Sequence, residues 1–255
     1  MSVRLVLSSV LAVLAFSALA ASAAQAATAE GPFYKITGTR LASGKSQEVK
    51  AKMYSHNLYK FYLGDTQVAI GCSSAKFASG AKLLGSTGAN SGSGEATLEL
   101  SGCTTEGSNG AGCKLSSSTI KTVPLKMNPA YLNTKRTGAL AVIFESARTN
   151  QELFAVTLTG NGGCVDESET PWAVAGRLLG KVEVASKLVE VGKEPAATKV
   201  LDVTFPGLND IEKAWVEKSG ALEEKSVGII SDDQSDEYSG TLELEAGAAE
   251  WGIFT

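Results

Sequence analysis

Residues Glu152–Thr159 read ELFAVTLT. On an extended chain Phe154, Val156 and Leu158 share one side, and Leu153, Ala155 and Thr157 share the other, because successive strand side chains point to opposite faces. A strand that can be covered on both faces belongs in the middle of a sheet. The same period of two recurs in FYKITG, QEVKAKMYS, TQVAIGC, ATLELSGC, GALAVIFES, WAVAGRLLG, KVEVAS, KVLDVTF and EYSGTLELE. Turn residues separate these runs at roughly eight to twelve positions, the spacing of all-β folds. The pattern predicts an antiparallel, sandwich-like or barrel-like all-β architecture with little helix, built as one large domain or two abutting β subdomains.

Three stretches interrupt the pattern. NDIEKAWVEKSG, Asn209–Gly220, offers a helix cap and apolar residues at Ile211, Trp215 and Val216, yet it alternates equally well as a strand. Its strand-like neighbours favour the strand. MNPAYLN, Met127–Asn133, reads as a turn or a short helical turn, with Pro129 where a first helical turn tolerates proline. GSTGANSGSGE, Gly85–Glu95, reads as a mobile hairpin loop between strands.

The chain opens with Arg4, a short apolar run and small residues ending at Ala24-Gln25-Ala26, the layout of a secretory signal peptide cleaved before Ala27. No cysteine lies near that site to carry a lipid, and EWGIFT at the other end is not an apolar tail. The expected product is secreted, extracellular or associated with the cell wall, and free of the membrane. Residues 1–26 form the signal, 27–165 a cysteine-containing β region, and 166–255 an acidic β region that can be continuous with it.

Export would place Cys72, Cys103, Cys113 and Cys164 in an oxidising compartment, where disulfides persist. Four cysteines allow three pairings. EATLEL before Cys103 and CKLSS after Cys113 read as hairpin arms around a Gly-rich loop, which favours Cys103–Cys113 and leaves Cys72–Cys164. Zinc is disfavoured, because the cysteine spacing is wide and the chain has a single histidine.

Charge is distributed unevenly. Residues 27–165 carry 14 Lys or Arg against 8 Asp or Glu, and residues 166–255 carry 8 against 19. The simplest reading is a solvated basic face and a solvated acidic face on one body; the sharper one is head-to-tail self-association or attachment to an anionic wall polymer, since such fields steer encounter. Nucleic acid is not an expected partner, because the basic residues are scattered singly with no interleaved aromatics.

Catalytic patterns are sparse. Ser-His-Asp chemistry needs a base, and the only histidine is His56 in MYSHNLY, with no G-x-S-x-G elbow in the chain. Paired carboxylates could serve a glycan-active hydrolase if they faced each other across a groove. The acids cluster in VDESET (Asp166, Glu167, Glu169) and SDDQSDEY (Asp232, Asp233, Asp236, Glu237). The second cluster is the candidate Ca²⁺ site, since Ca²⁺ gathers six to eight oxygens. No other cofactor is expected. Trp172, Trp215, Trp251 and Tyr131 admit a carbohydrate-binding reading if they are exposed on one face, although Trp172 and Trp251 fit core positions more simply.

GCSSAKFASGAKLLGS, ELSGCTTEGSNGAGCKL, STIKTVPLKMNPAYL, GALAVIFES, TGNGGCVD and AVAGRLLGKVEVASK follow one another from about Ile70 to Lys187. The order of cysteines, the Thr122-x-x-Leu125 step and the Gly176-x-x-x-Gly180 strand resemble a group of secreted, β-rich proteins of high-GC Gram-positive bacteria. The resemblance implies an exported, disulfide-bonded β protein and brings no reaction, ligand or catalytic residue. The sequence therefore predicts a non-catalytic cell-surface or extracellular protein acting by binding or self-association. A carbohydrate-binding module, a Ca²⁺-dependent adhesin and a glycan-active hydrolase are the alternatives.

Overall fold

A computed structural model describes residues 31–54, 59–63, 68–106, 112–160, 171–193, 198–206, 212–231, 234–236 and 238–255. The signal-like segment 1–26 lies outside the described residues. The chain begins with β1 (Phe33–Ile36), β2 (Thr39–Arg40), β3 (Ser46–Glu48), β4 (Lys50–Met53), β5 (Tyr59–Leu63), β6 (Val68–Phe77), β7 (Lys82–Leu84) and β8 (Ser93–Ala96). It continues through β9 (Leu98–Glu106), β10 (Cys113–Leu115), β11 (Thr119–Lys121), β12 (Leu125–Tyr131), β13 (Leu140–Ser146), β14 (Glu152–Val156) and β15 (Leu158–Gly160). The last strands are β16 (Trp172–Val184), β17 (Lys187–Leu188), β18 (Val200–Pro206), β19 (Glu212–Lys218), β20 (Ala221–Ser231), β21 (Gln234–Asp236), β22 (Tyr238–Glu245) and β23 (Trp251–Phe254). No helix occurs among the described residues, and the fold is the all-β architecture that the alternation predicts.

At its centre is a ring of five strands. β12 pairs with β13, β13 with β16, β16 with β20, β20 with β19, and β19 returns to β12 at Tyr131↔Trp215. Ala130, Ala141, Ile143, Leu179, Ala214 and Val227 fill it, all fully buried. Small residues are needed because five strands enclose little space. The opposite faces of the same strands serve a second, larger core. Adjacent Leu178 and Leu179 on β16 therefore belong to different cores, and so do Val142 and Ile143 on β13. From β16 the wall of that core runs through β18 and β22, then β4 and β5, β6, β9 and β11. Four aromatic rings cross it in succession, Phe77, Phe144, Phe205 and Tyr238, with centroids 6.4, 5.7 and 5.4 Å apart. Burying one such side chain contributes about 1.5–3 kcal/mol.

The glycines of the Gly-x-x-x-Gly strand have separate causes. Gly176 takes φ +115°, where a side chain is strained, and a methyl group there would overlap the Gly228 carbonyl of β20. A methyl group on Gly180 would overlap Val203 Cγ1 in the larger core.

Several local expectations need correction. MNPAYLN is not a turn: Met127–Tyr131 lies within β12, with Pro129 opposite Val142. Among the described residues the other edge of β12 is unpaired between Lys126 and Tyr131, a setting in which a strand tolerates proline. ELFAVTLT is not covered on both faces by strict alternation. A register shift between Glu152 and Phe154 turns both Leu153 and Phe154 inward, and Ala155 is exposed. Glu212–Lys218 is a strand, as its neighbours suggest. The Gly85–Glu95 run joins β7 to β8 as a hairpin and is tied down by other elements. Ser91 N–H donates to the Glu217 carbonyl at 2.9 Å, Ser219 N–H to Asn90 Oδ1 at 2.9 Å, and Gly220 N–H to the Ala89 carbonyl at 2.8 Å.

The predicted disulfide Cys103–Cys113 does not form. Cys103 is bonded to Cys72, its direct neighbour in the β6–β9 register, and both are buried. The hairpin reading fails because β9 takes β11, not β10, as its partner on that side, while β10 leaves to pair with β15. This also removes the pairing Cys72–Cys164. Cys113 is itself disulfide-bonded, and Cys164, four residues beyond its neighbour Gly160, lies outside the described residues.

The basic and acidic sequence regions are interwoven. β22 lies between β18 and the pair β4 and β5, and β16 lies against β13 and β14. Charges that are segregated along the chain thereby meet across strands, as in Lys52 with Glu243 and Glu245, both at 3.1 Å.

Candidate functional site

One cleft lies where two strands part. β4 pairs along its length with β22 but meets β6 only at Lys52↔Lys76, after which β6 turns away toward β7. The resulting wedge has a volume of about 460 Å³. Val49, Ala51 and Phe77 form a buried apolar floor. Lys50, Lys52 and Lys76 on the rim are balanced by Glu48, Glu243 and Glu245. Hydrogen bonds to Glu243 and then Glu245 hold the Lys52 ammonium above its usual range.

One rung of paired residues crosses this surface: Glu183↔Asp202↔Glu243↔Lys52↔Lys76↔Glu99↔Lys121. Its first three members are carboxylates placed directly opposite one another, an unfavourable arrangement. Burial, then the charges of Glu243 and Glu183, raise the Asp202 carboxyl above its ordinary range. Among the described residues no group of three or more His, Cys, Asp or Glu is placed to hold a metal ion.

The second cleft opens at one end of the five-stranded ring. Alternation along β12 puts Lys126 and Asn128 on the face of Ala130, and alternation along β13 and β16 puts Glu145 on the face of Ile143 and Arg177 on that of Leu179. These polar residues therefore cap the small core. Asn128 Nδ2 donates to Glu145 Oε1 at 2.9 Å, and Arg177 Nε donates to Glu145 Oε2, also at 2.9 Å. Arg177 Nη1 donates to the Ser226 carbonyl at 3.2 Å. The segment 147–151 leaves the sheet between β13 and β14 and carries Arg148 and Thr149 to the edge of a cleft of about 310 Å³. Its charged lining is Lys126, Arg148 and Arg177 against Glu145 alone.

Glu217 makes the most enclosed ion pair among the described residues. Its fully buried carboxylate accepts Arg136 Nε at 2.8 Å and Nη2 at 2.9 Å. The charge of Glu217 adds to burial in raising the neighbouring Tyr131 hydroxyl to about 12, with Arg136 opposing. Both carboxylate oxygens are taken by Arg136, so the pair fastens β19 to the loop after β12.

The residues singled out in the sequence are distributed differently. Asp232, Asp233 and Glu237 of the candidate Ca²⁺ site lie outside the described residues, as do His56, Asp166, Glu167 and Glu169. Asp236 is in β21, opposite Ile229. Trp251 and Tyr131 are buried in the larger core, and Trp172 and Trp215 pack against it from partly buried positions. They do not form a shared exposed platform. Lys126, Glu145 and Arg177 carried no signal of their own, since they stand singly on three strands and only the register joins them. The chain matches no family model, no curated protein and no solved structure.

Proposed function

We propose that the protein is an exported, non-catalytic β protein of the cell surface or extracellular space that acts by binding. The observation that carries this reading is the wedge between β4 and β6, a preformed concavity of about 460 Å³ with an apolar floor and a charged rim. That size and make-up suit a ligand site. The buried Cys72–Cys103 disulfide fits an oxidising compartment. No helix of the described residues is long and apolar enough to cross a membrane. Cys113 is assigned to Cys164, the one cysteine that remains to it.

The test is to express the precursor, recover the secreted chain and measure its co-sedimentation with envelopes of the producing organism at low and high salt. The expected results are a mature N-terminus at Ala27 and saturable binding that partly survives salt. A chain retained in the cytoplasm, or one that stays in the supernatant at every salt concentration, overturns the reading.

A further inference from the structure

From the polar cleft at the end of the five-stranded ring we infer a second binding site, for the oxyanion groups of an extended anionic polymer. The inference rests on the reading of the protein as a binding protein and adds a place and a ligand class. The cleft lies at the mouth of a small closed barrel, a common position for ligands. The small core behind it is filled, with Ile143 and Leu179 fully buried, so a ligand is met at the rim and not inside.

The electrostatics select the ligand. Both oxygens of Glu145 are occupied, one by Asn128 and one by Arg177, so the only carboxylate in the lining is already neutralised. Glu145 and the Ser226 carbonyl fix the Arg177 guanidinium, while its Nη2 makes no hydrogen bond among the described residues. Lys126 and Arg148 are exposed and form no ion pair among the described residues. Two unpaired cations, from β12 and the 147–151 segment, thus surround one concavity together with the Arg177 guanidinium, whose charge Glu145 offsets but which keeps spare donors. The first cleft differs, because its three lysines face three glutamates.

The weakness of single exposed contacts argues for a polymer over a small anion. An exposed cation gains little from a single opposite charge. A chain that presents negative groups repeatedly rebinds before it escapes, which multiplies weak contacts into useful affinity. Guanidinium groups match phosphate and carboxylate oxygens alike, so both polymer chemistries enter the test.

The experiment uses the secreted, disulfide-bonded chain and titrates it with poly(glycerol phosphate), with polyglutamate and with inorganic phosphate, read by calorimetry. Wild type should bind at least one polymer and bind inorganic phosphate at least tenfold more weakly. The variant Lys126→Gln/Arg148→Gln should lose at least tenfold in polymer affinity with an unchanged melting temperature, since both side chains are exposed. The control Lys45→Gln/Lys187→Gln removes the same charge from exposed positions elsewhere and should stay within twofold of wild type. Equal losses in the two variants would mean that net charge and not the cleft binds, and would overturn the inference. Failure of wild type to bind either polymer, or inorganic phosphate binding as tight as the polymer, overturns it too. Envelope binding that persists in Lys126→Gln/Arg148→Gln together with an unchanged polymer affinity would leave the proposed function standing and sink only this site.

Discussion

The hydroxyl of Tyr238 bridges the backbone of Leu179. Its O–H donates to the Leu179 carbonyl at 3.0 Å, and its oxygen accepts the Leu179 N–H. At this point β16 changes partner: Arg177 pairs with Gly228 of β20, and Lys181 pairs with Thr204 of β18. Leu179 falls between the two, and a side chain from β22 supplies the hydrogen bonds that a strand would have made. An unpaired buried backbone group is costly, so the junction between the small ring and the larger wall depends on this contact.

Tyr238→Phe leaves that donor and acceptor unpaired with almost no change in shape. It should destabilise the protein by about 2–3 kcal/mol, since each unsatisfied buried group costs about 1–3. Urea unfolding measures this. A midpoint equal to wild type would show that the hydroxyl is dispensable.

The cysteines give a covalent prediction. Proteolysis of the unreduced protein should yield a disulfide-linked fragment joining Cys72 to Cys103, and a second joining Cys113 to Cys164. Removing Cys72–Cys103 should cost about 3–4 kcal/mol, given the 31 residues it spans. A fragment linking Cys103 to Cys113 would contradict the β6–β9 register.

Arg136→Ala strands the buried Glu217 carboxylate without its counter-ion. The expected loss is about 2–4 kcal/mol, reduced from the fully buried case because Arg136 is partly exposed. The double variant Arg136→Leu/Glu217→Leu should recover most of it. If the double variant is no more stable than Arg136→Ala, then the polar network and not the charge is what matters.

Asp202 stands between Glu183 and Glu243 in register. Its carboxyl is raised, so the folded state holds its proton more tightly than the unfolded state, and the charged form weighs against folding at neutral pH. Asp202→Asn should therefore stabilise the protein by about 0.5–1 kcal/mol at pH 7. The gain should shrink in high salt and as the pH falls through the raised range. Thermal melts at pH 7 in 20 mM and 500 mM NaCl check this; destabilisation in both would refute it.

Tyr131 predicts behaviour at the alkaline end. Its hydroxyl ionises near 12 in the folded protein, against about 10 in the unfolded chain. Above pH 10 the unfolded state loses the proton first, so stability falls from there to about pH 12, by up to about 2–3 kcal/mol from this group. The buried Tyr34 hydroxyl is raised as well and adds to the loss. Tyr131→Phe should flatten the decline in denaturant titrations between pH 9 and 11. A slope identical to wild type would assign the loss elsewhere.

Most strand identity was legible in the sequence because period-two alternation is local, although Pro129 hid the β12 strand Leu125–Tyr131 behind the look of a turn. Val142, Ile143 and Phe144 could be placed in a strand without knowing their partners. Even NDIEKAWVEKSG could be placed from its neighbours. What alternation could not say is that both faces of β12, β13 and β16 are covered by different cores, because a buried face looks the same whichever core covers it. The register shift at Glu152 escaped for a similar reason: nothing local marks the place where a strand skips a position.

Pairing was decided only by tertiary structure. Cys103 is ten residues from Cys113 along the chain, yet it meets Cys72 because β9 lies against β6. Lys126, Glu145 and Arg177 are unremarkable singly and form a cleft only because two registers align them. The all-β class and the cysteine content could be read from the residues and their immediate spacing. The tertiary structure decided which strands adjoin, and with that the disulfide, the charged rung and both clefts, because contacts between distant residues depend on strand order and register that no local pattern encodes.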